Sequence, residues 1–180
     1  RKILTNEQQL KSGKPIIFTE SRETAEYLAG KIRAEVEPRV IQFSGQSDAA
    51  TREKIIANFD AKAYRPQDDL RILVTTDVLA EGVNLHRSNT VINYDIPWNP
   101  TRLMQRVGRV NRIDTKFEDI HTYNYFPTEE SEDLIKLKAA AESKIRSFIE
   151  MLGADARLLT DNESIKSHEL FARLNSKKTI

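Results

Sequence analysis

The sequence predicts an α/β domain, a mostly parallel sheet with helices on both faces. Short runs rich in Ile, Val, Leu, Phe and Thr recur at residues 15–19, 39–43, 70–75, 90–94 and 120–126, with the length and composition of buried strands. Segments with apolar residues at helical spacing separate these runs, and the connections are short and polar. After Pro127 the strand signal stops, and a helical extension over residues 128–180 follows the domain at 1–127.

In chain order, residues 5–14 read as the end of a helix stopped by Gly13. Pro15 to Thr19 is the first strand. Ser21 caps a helix whose Ala25, Leu28, Ala29 and Ile32 recur at helical spacing and which ends before Pro38. The second strand, 39–43, runs into a turn at Ser44-Gly45-Gln46-Ser47, and the helix after it buries Ile55, Ile56 and Phe59. Residues 61–69 are a polar loop containing Pro66. The third strand leads to a turn at Thr76-Asp77 and a short helix; the fourth, 90–94, precedes a helix starting at Asn99 and Pro100, a good cap followed by a residue suited to the first helical position. The fifth covers 120–126. In the extension, Thr128 caps a helix with Glu129, Glu130, Glu132 and Asp133 early and Lys144 and Arg146 late, the order a helix dipole favours. Gly153 breaks it, and residues 162–174 form another helix.

At 180 residues with 39% hydrophobic content, the chain can build one substantial core. It has no cysteine, which excludes disulfides and thiolate metal sites and fits a cytoplasmic setting. No apolar run reaches the ~18 residues of a membrane span, and no signal peptide is apparent. Twenty-eight basic and 27 acidic residues leave a net charge of +1, so any case for nucleic acid must rest on local clusters. The chain starts at Arg1 and ends at Ile180 without a helix stop, as a piece of a longer protein would. His86, His121 and His168 lack metal-ligand spacing.

The most unusual stretch is residues 99–112, NPTRLMQRVGRVNR, with four arginines and no acid. On a continuous helix Arg102, Arg106, Arg109 and Arg112 fall within an arc of about 120°. Like charges so placed repel, and a guanidinium fork suits phosphate oxygens. The stretch reads as a polyphosphate sensor, against the plainer reading of a solvated basic face. In parallel sheets ligands bind beyond the carboxyl ends of the strands, where Ser21, Ser44-Gly45, Thr75-Thr76 and residues 97–112 are all expected. Trp98 and Tyr94 could stack on a base, although a lone Trp beside Pro97 is more often a packing anchor.

VTTDVLAEGVNL (74–85) followed by INYDIPWNPTRLMQRVGRVNR (92–112) resembles motifs V and VI of superfamily 2 helicases and nucleic-acid translocases. IIFTES (16–21) resembles motif IV, and FSGQSDAATREKIIANF (43–59) the segment between. DIPWNP with a Gln-led motif VI is most similar to the branch of chromatin remodellers and RNA-polymerase-recycling ATPases; the DEAD-box branch usually has His where Gln105 stands. The sequence has no G-x-x-x-x-G-K-[ST] loop and no acidic Walker B box. The resemblance therefore implies the second, C-terminal RecA-like domain of a two-domain motor.

What the resemblance implies for the site is specific. ATP with magnesium would be held mainly by a first RecA-like domain outside this chain. Arg109 and Arg112 would meet the γ-phosphate, Arg112 as arginine finger, with Gln105 hydrogen-bonding nearby. Gly82, Asn84 and Gly108 would lie beside the nucleotide, although the family often has Asp where Asn84 stands. Thr19, Ser44, Gly45, Arg52, Thr75 and Thr76 match positions that touch the nucleic-acid backbone, contacts that position a strand without reading sequence. Taken alone, Ser21 and Thr128 read as helix caps, Gly45 as a turn glycine and Arg52 as a helix surface charge. The expected partners are DNA, with RNA possible, and the first domain, with no membrane. The expected activity is ATP-dependent helicase or translocase action in the parent protein and none in this chain alone. The alternative is a helicase-like binding module without hydrolysis.

Overall fold

A computed structural model describes residues 13–80, 83–97, 99–111, 115–125 and 143. The segments expected to be helical at 5–12 and, apart from Ser143, across 128–180 lie outside the described residues, as do Gly82, Trp98 and Arg112.

Among the described residues, five strands and three helices alternate along the chain. They are β1 (Ile16–Thr19), α1 (Arg22–Glu35), β2 (Val40–Phe43), α2 (Ala49–Phe59), β3 (Ile72–Thr76), a 3₁₀ turn (Asp77–Ala80), β4 (Thr90–Asn93), α3 (Pro100–Val110) and β5 (His121–Asn124). The strands form one sheet in the order β2-β3-β1-β4-β5, and every pairing is parallel. The expected parallel α/β sheet is present.

Strand pleating sends alternate side chains to opposite faces, giving two cores. On one face Ile16, Phe18, Phe43, Leu73 and Val91 pack with Ile55 and Phe59 of α2 and Val110 of α3. On the other, Ile17, Val40, Ile72, Val74 and Ile92 pack with Ala25, Ala29 and Ile32 of α1. Ile16, Phe18, Leu73, Val74 and Val91 are fully buried, which is why these strands read as unbroken apolar runs.

Local chemistry sets the helix starts. The Ser21 hydroxyl accepts the Thr24 amide at 3.2 Å, and Asn99 accepts the Thr101 amide at 3.0 Å with Pro100 behind it. Asp48, directly after the Ser44–Ser47 turn, caps α2 by accepting the Thr51 amide at 2.8 Å. At the opposite edge of the sheet, buried Glu37 binds Arg39 at 3.0 and 3.1 Å and Arg71 at 3.0 Å. The Arg39 guanidinium first, then Arg71, hold its carboxyl down to about 2.

Candidate functional site

The ends of β1, β3 and β4 meet α3, which packs against one face of the sheet through Val110 and brings Arg106 to Asp77, Asn93 and Asp95. Leu103, Arg106 and Val110, spaced three and four apart, form the buried face of α3. Arg102 and Gln105 are on its exposed side with half-buried Arg109, also at three- and four-residue spacing.

Arg106 departs from the sequence reading. Its side chain is fully buried, with Nε 2.6 Å and Nη2 2.9 Å from the two carboxylate oxygens of Asp77. Nη1 donates to Asn93 Oδ1 at 3.0 Å and to the Asp95 carbonyl at 3.2 Å, and the guanidinium lies 5.3 Å from the centroid of the Phe18 ring. Arg102 is 3.4 Å from Glu20 and 3.5 Å from Asp77. Two of the four arginines expected to share an external polyphosphate are thus matched by carboxylates of the same chain. The repulsion expected from their spacing is relieved by acids distant in sequence, a pairing that helical geometry alone cannot show.

This network fixes neighbouring elements. Asp95 accepts a hydrogen bond from the Thr19 hydroxyl, and it accepts the Glu20 amide at 2.9 and 3.0 Å. It therefore ties the end of β1 to the segment after β4. The Leu85 amide donates to the Arg109 carbonyl at 2.9 Å, which places half-buried Asn84 next to the end of α3 carrying Arg109. Asn84 and Arg109 are accordingly close along the backbone, with Gly108 next to Arg109 and Gln105 one turn earlier on α3.

Of the positions matched to nucleic acid, Thr19, Ser44, Gly45, Thr75 and Thr76 fall at or just beyond strand ends, and they differ in state. The Thr19 hydroxyl is committed to Asp95, and the Thr75 hydroxyl donates to the Thr76 carbonyl at 3.0 Å. Ser44 is buried in a turn whose amide donates to Ser47 Oγ at 2.9 Å. The Thr76 hydroxyl is buried and has no hydrogen-bond partner. Gly45 is exposed, and a Cβ there would reach only Val78 at an ordinary 3.7 Å. Arg52 is half-buried on α2. Sequence reasoning missed Asp77 and Asp95 as partners of the arginine helix and Tyr125 as the neighbour of Tyr94. The only local hint was that both aspartates stand within two residues of a strand end.

Among the described residues no group of three or more His, Cys, Asp or Glu could hold a metal ion, and no helix is long and apolar enough to cross a membrane.

A five-stranded parallel sheet with helices on both faces and an arginine helix tied to its strand ends through Arg106 is a RecA-like α/β domain of the kind that forms the C-terminal half of helicase motors. The family profile "Helicase conserved C-terminal domain" matches residues 1–114, and the chain belongs to that family. Among curated relatives, an uncharacterized ATP-dependent helicase, YqhH, of Bacillus subtilis is 35% identical over 147 residues, 82% of this chain and 24% of the relative. Eukaryotic initiation factor 4A of Zea mays is 33% identical over 101 residues, 56% of this chain and 23% of the relative. The chain thus spans about a quarter of the length of these relatives. Among solved structures, the C-terminal part of the Fun30 ATPase domain aligns with a TM-score of 0.60 at 21% identity over 76% of this chain and 42% of that one, a likeness of fold. A DEAD box protein from Methanococcus jannaschii aligns at 0.53 and 28% identity over 78% of this chain and 35% of its own.

Proposed function

We propose that this chain is the second motor domain of an ATP-dependent nucleic-acid helicase or translocase, lending arginines to ATP bound against a first RecA-like domain. One observation carries the reading. The buried face of α3 is locked by Arg106 on Asp77, while Gln105, Gly108 and Arg109 occupy the remainder of the helix beside Asn84. Gly108 supports it, because a Cβ there would meet nothing within 4 Å. A helix-interior glycine costs about 1 kcal/mol relative to alanine, and no described neighbour requires it. A phosphate or a partner domain closing on this face would.

The donor set fits a triphosphate. Guanidinium forks at Arg109 and, as the finger, Arg112 would neutralise charge on the transferring phosphoryl group, with Gln105 hydrogen-bonding nearby and Gly82, Asn84 and Gly108 lining the contact. Magnesium, which would neutralise the β- and γ-phosphate oxygens, would be held by the first domain along with the phosphate-loop lysine and the base. The Arg106 lock holds α3 in place when the cleft closes. Thr19, Ser44, Gly45, Arg52, Thr75 and Thr76 form the backbone-contacting edge, of which Thr76 carries the uncommitted hydroxyl and Thr19 would first have to leave Asp95. DNA is the expected polymer. The yeast Dbp5 structure, solved with RNA and ADP BeF3 and 24% identical, makes RNA the second reading.

Steady-state ATP hydrolysis by the full-length protein and by this chain, each with DNA and with RNA, tests the proposal. Stimulated turnover is expected from the full-length protein and none from this chain. Turnover by this chain above background would overturn the two-domain reading. Tight nucleic-acid binding by a full-length protein that never hydrolyses ATP would favour the binding-module alternative.

A further inference from the structure

The five strands end in one register line. Thr19 pairs with Thr76 across β1 and β3. One residue past the Phe18–Asn93 pairing, Tyr94 stands beside Thr19, its amide donating to the Phe18 carbonyl at 2.9 Å. One residue past the Asn93–Asn124 pairing, Tyr125 stands beside Tyr94, its amide donating to the Asn93 carbonyl at 3.0 Å. On the other side, Ser44 follows Phe43, which pairs with Thr75. The row across the sheet is therefore Ser44, Thr76, Thr19, Tyr94, Tyr125. Side chains alternate along a strand, so Thr19, Thr76 and Tyr94 share the face of Ile17, Val74 and Ile92, the one packed by α1.

The two ends of the row differ in chemistry. At one, the Thr76 hydroxyl is buried, with the residue 7% exposed, and makes no hydrogen bond. A buried hydroxyl without an acceptor is destabilising, and an oxygen of a passing phosphate is an acceptor that would satisfy it. At the other, Tyr94 is 41% exposed and its ring centroid lies 5.9 Å from that of Tyr125, tilted by 39°. Tyr125 itself packs against the core, so a partly buried ring braces an exposed one. Thr76 and Tyr94 are two strands apart, about 10 Å, close to three stacked nucleotides at ~3.4 Å each.

We propose that Tyr94, braced by Tyr125, is a stacking platform for an unpaired base of a nucleic-acid strand whose backbone passes the Thr76 hydroxyl. This rests on the nucleic-acid motor reading and adds to it the form of the polymer. A base in a duplex cannot present its face to a tyrosine, so the platform assigns single-stranded nucleic acid to this edge, without sequence preference because every base has a π-face. A packing role for Tyr94 alone would need no base.

The test is equilibrium binding of the full-length protein to a fluorescent single-stranded oligonucleotide and to an oligomer of equal length made wholly of abasic sites. Base stacking on an aromatic residue contributes about 1–3 kcal/mol, so Tyr94→Ala and Tyr94→Leu should weaken binding to the base-bearing oligomer by about 5- to 150-fold. Neither should change binding to the abasic strand, and Tyr94→Phe should bind both as the wild type does. The leucine variant retains apolar bulk against Tyr125, so a fold lost in the alanine variant leaves the experiment readable. Equal weakening on both oligomers, or no weakening in either variant, overturns the platform while wild-type binding keeps the motor reading intact. Failure of the wild type to bind either strand overturns both.

Discussion

Removing the Arg106 side chain should cost this domain about 3 kcal/mol of stability. Arg106→Met keeps much of the apolar stem beside Phe18 but deletes two hydrogen bonds to Asp77, one to Asn93 and one to the Asp95 carbonyl. Breaking a buried ion pair by removing one partner costs about 3–5 kcal/mol, chiefly because the other charge stays behind unpaired. The lower end applies here, because the Asp77 side chain is 18% exposed and Arg102 stands 3.5 Å away to share its charge. Within a typical stability of about 5–15 kcal/mol the variant should still fold. Arg106→Lys should recover little, since one ammonium cannot reproduce a fork held by three separate acceptors. The double variant Arg106→Met, Asp77→Asn should regain a substantial part of the loss, because the stranded charge goes with its partner. Urea denaturation followed by circular dichroism, run as a double-mutant cycle, measures all of this. A loss under 1 kcal/mol for Arg106→Met, or a coupling energy near zero with Asp77, would refute the network as the clamp on α3.

Other expected outcomes concern the exposed parts of the site and the opposite edge of the sheet. In the full-length protein, Arg112→Ala should lower kcat about a thousandfold or more, with a thermal melt checking the fold, and Arg112→Lys should rescue little; near-wild-type turnover would reduce Arg112 to a solvated basic side chain. Gly108→Ala should stabilise this chain by about 0.5–1 kcal/mol in chemical denaturation, since the added methyl group meets nothing within 4 Å, while lowering ATP turnover of the full-length protein; a gain in both would remove Gly108 from the nucleotide contact. Nucleic-acid binding by this chain alone should be weak and should fall steeply with salt in a fluorescence titration, whereas tight, salt-insensitive binding would favour the binding-module alternative. Glu37, held by Arg39 and Arg71 down to about 2 from 4.5, contributes stability that is present above about pH 4.5 and is lost as pH falls toward 2, up to roughly 3 kcal/mol. Glu37→Gln should flatten that part of the stability–pH curve measured by urea denaturation between pH 6 and pH 3, and an unchanged curve would show that Glu37 does not titrate as its ion pairs require.

The sequence by itself determined the sheet. Runs such as Ile16-Ile17-Phe18 and Leu73-Val74 are buried on both faces, and composition alone reports two-sided burial. Helix starts at Ser21 and Asn99 were equally legible, because a cap acts within three residues of itself. Motif order likewise determined the family, since the linear spacing of residues 16–21, 74–85 and 92–112 is itself the signal. Tertiary structure alone decided what Arg102 and Arg106 do. Helical spacing placed four guanidiniums within one arc, but Asp77, 29 residues before Arg106, turned one of them into a buried clamp, and Glu20, 82 residues before Arg102, met another at the surface. The pairing of Tyr94 with Tyr125 and the commitment of Thr19 to Asp95 arose in the same way, from parallel strands whose ends are brought side by side by the order β1-β4-β5. Residues paired by strand register rather than by sequence distance leave no periodic trace, whereas burial and capping are local and do.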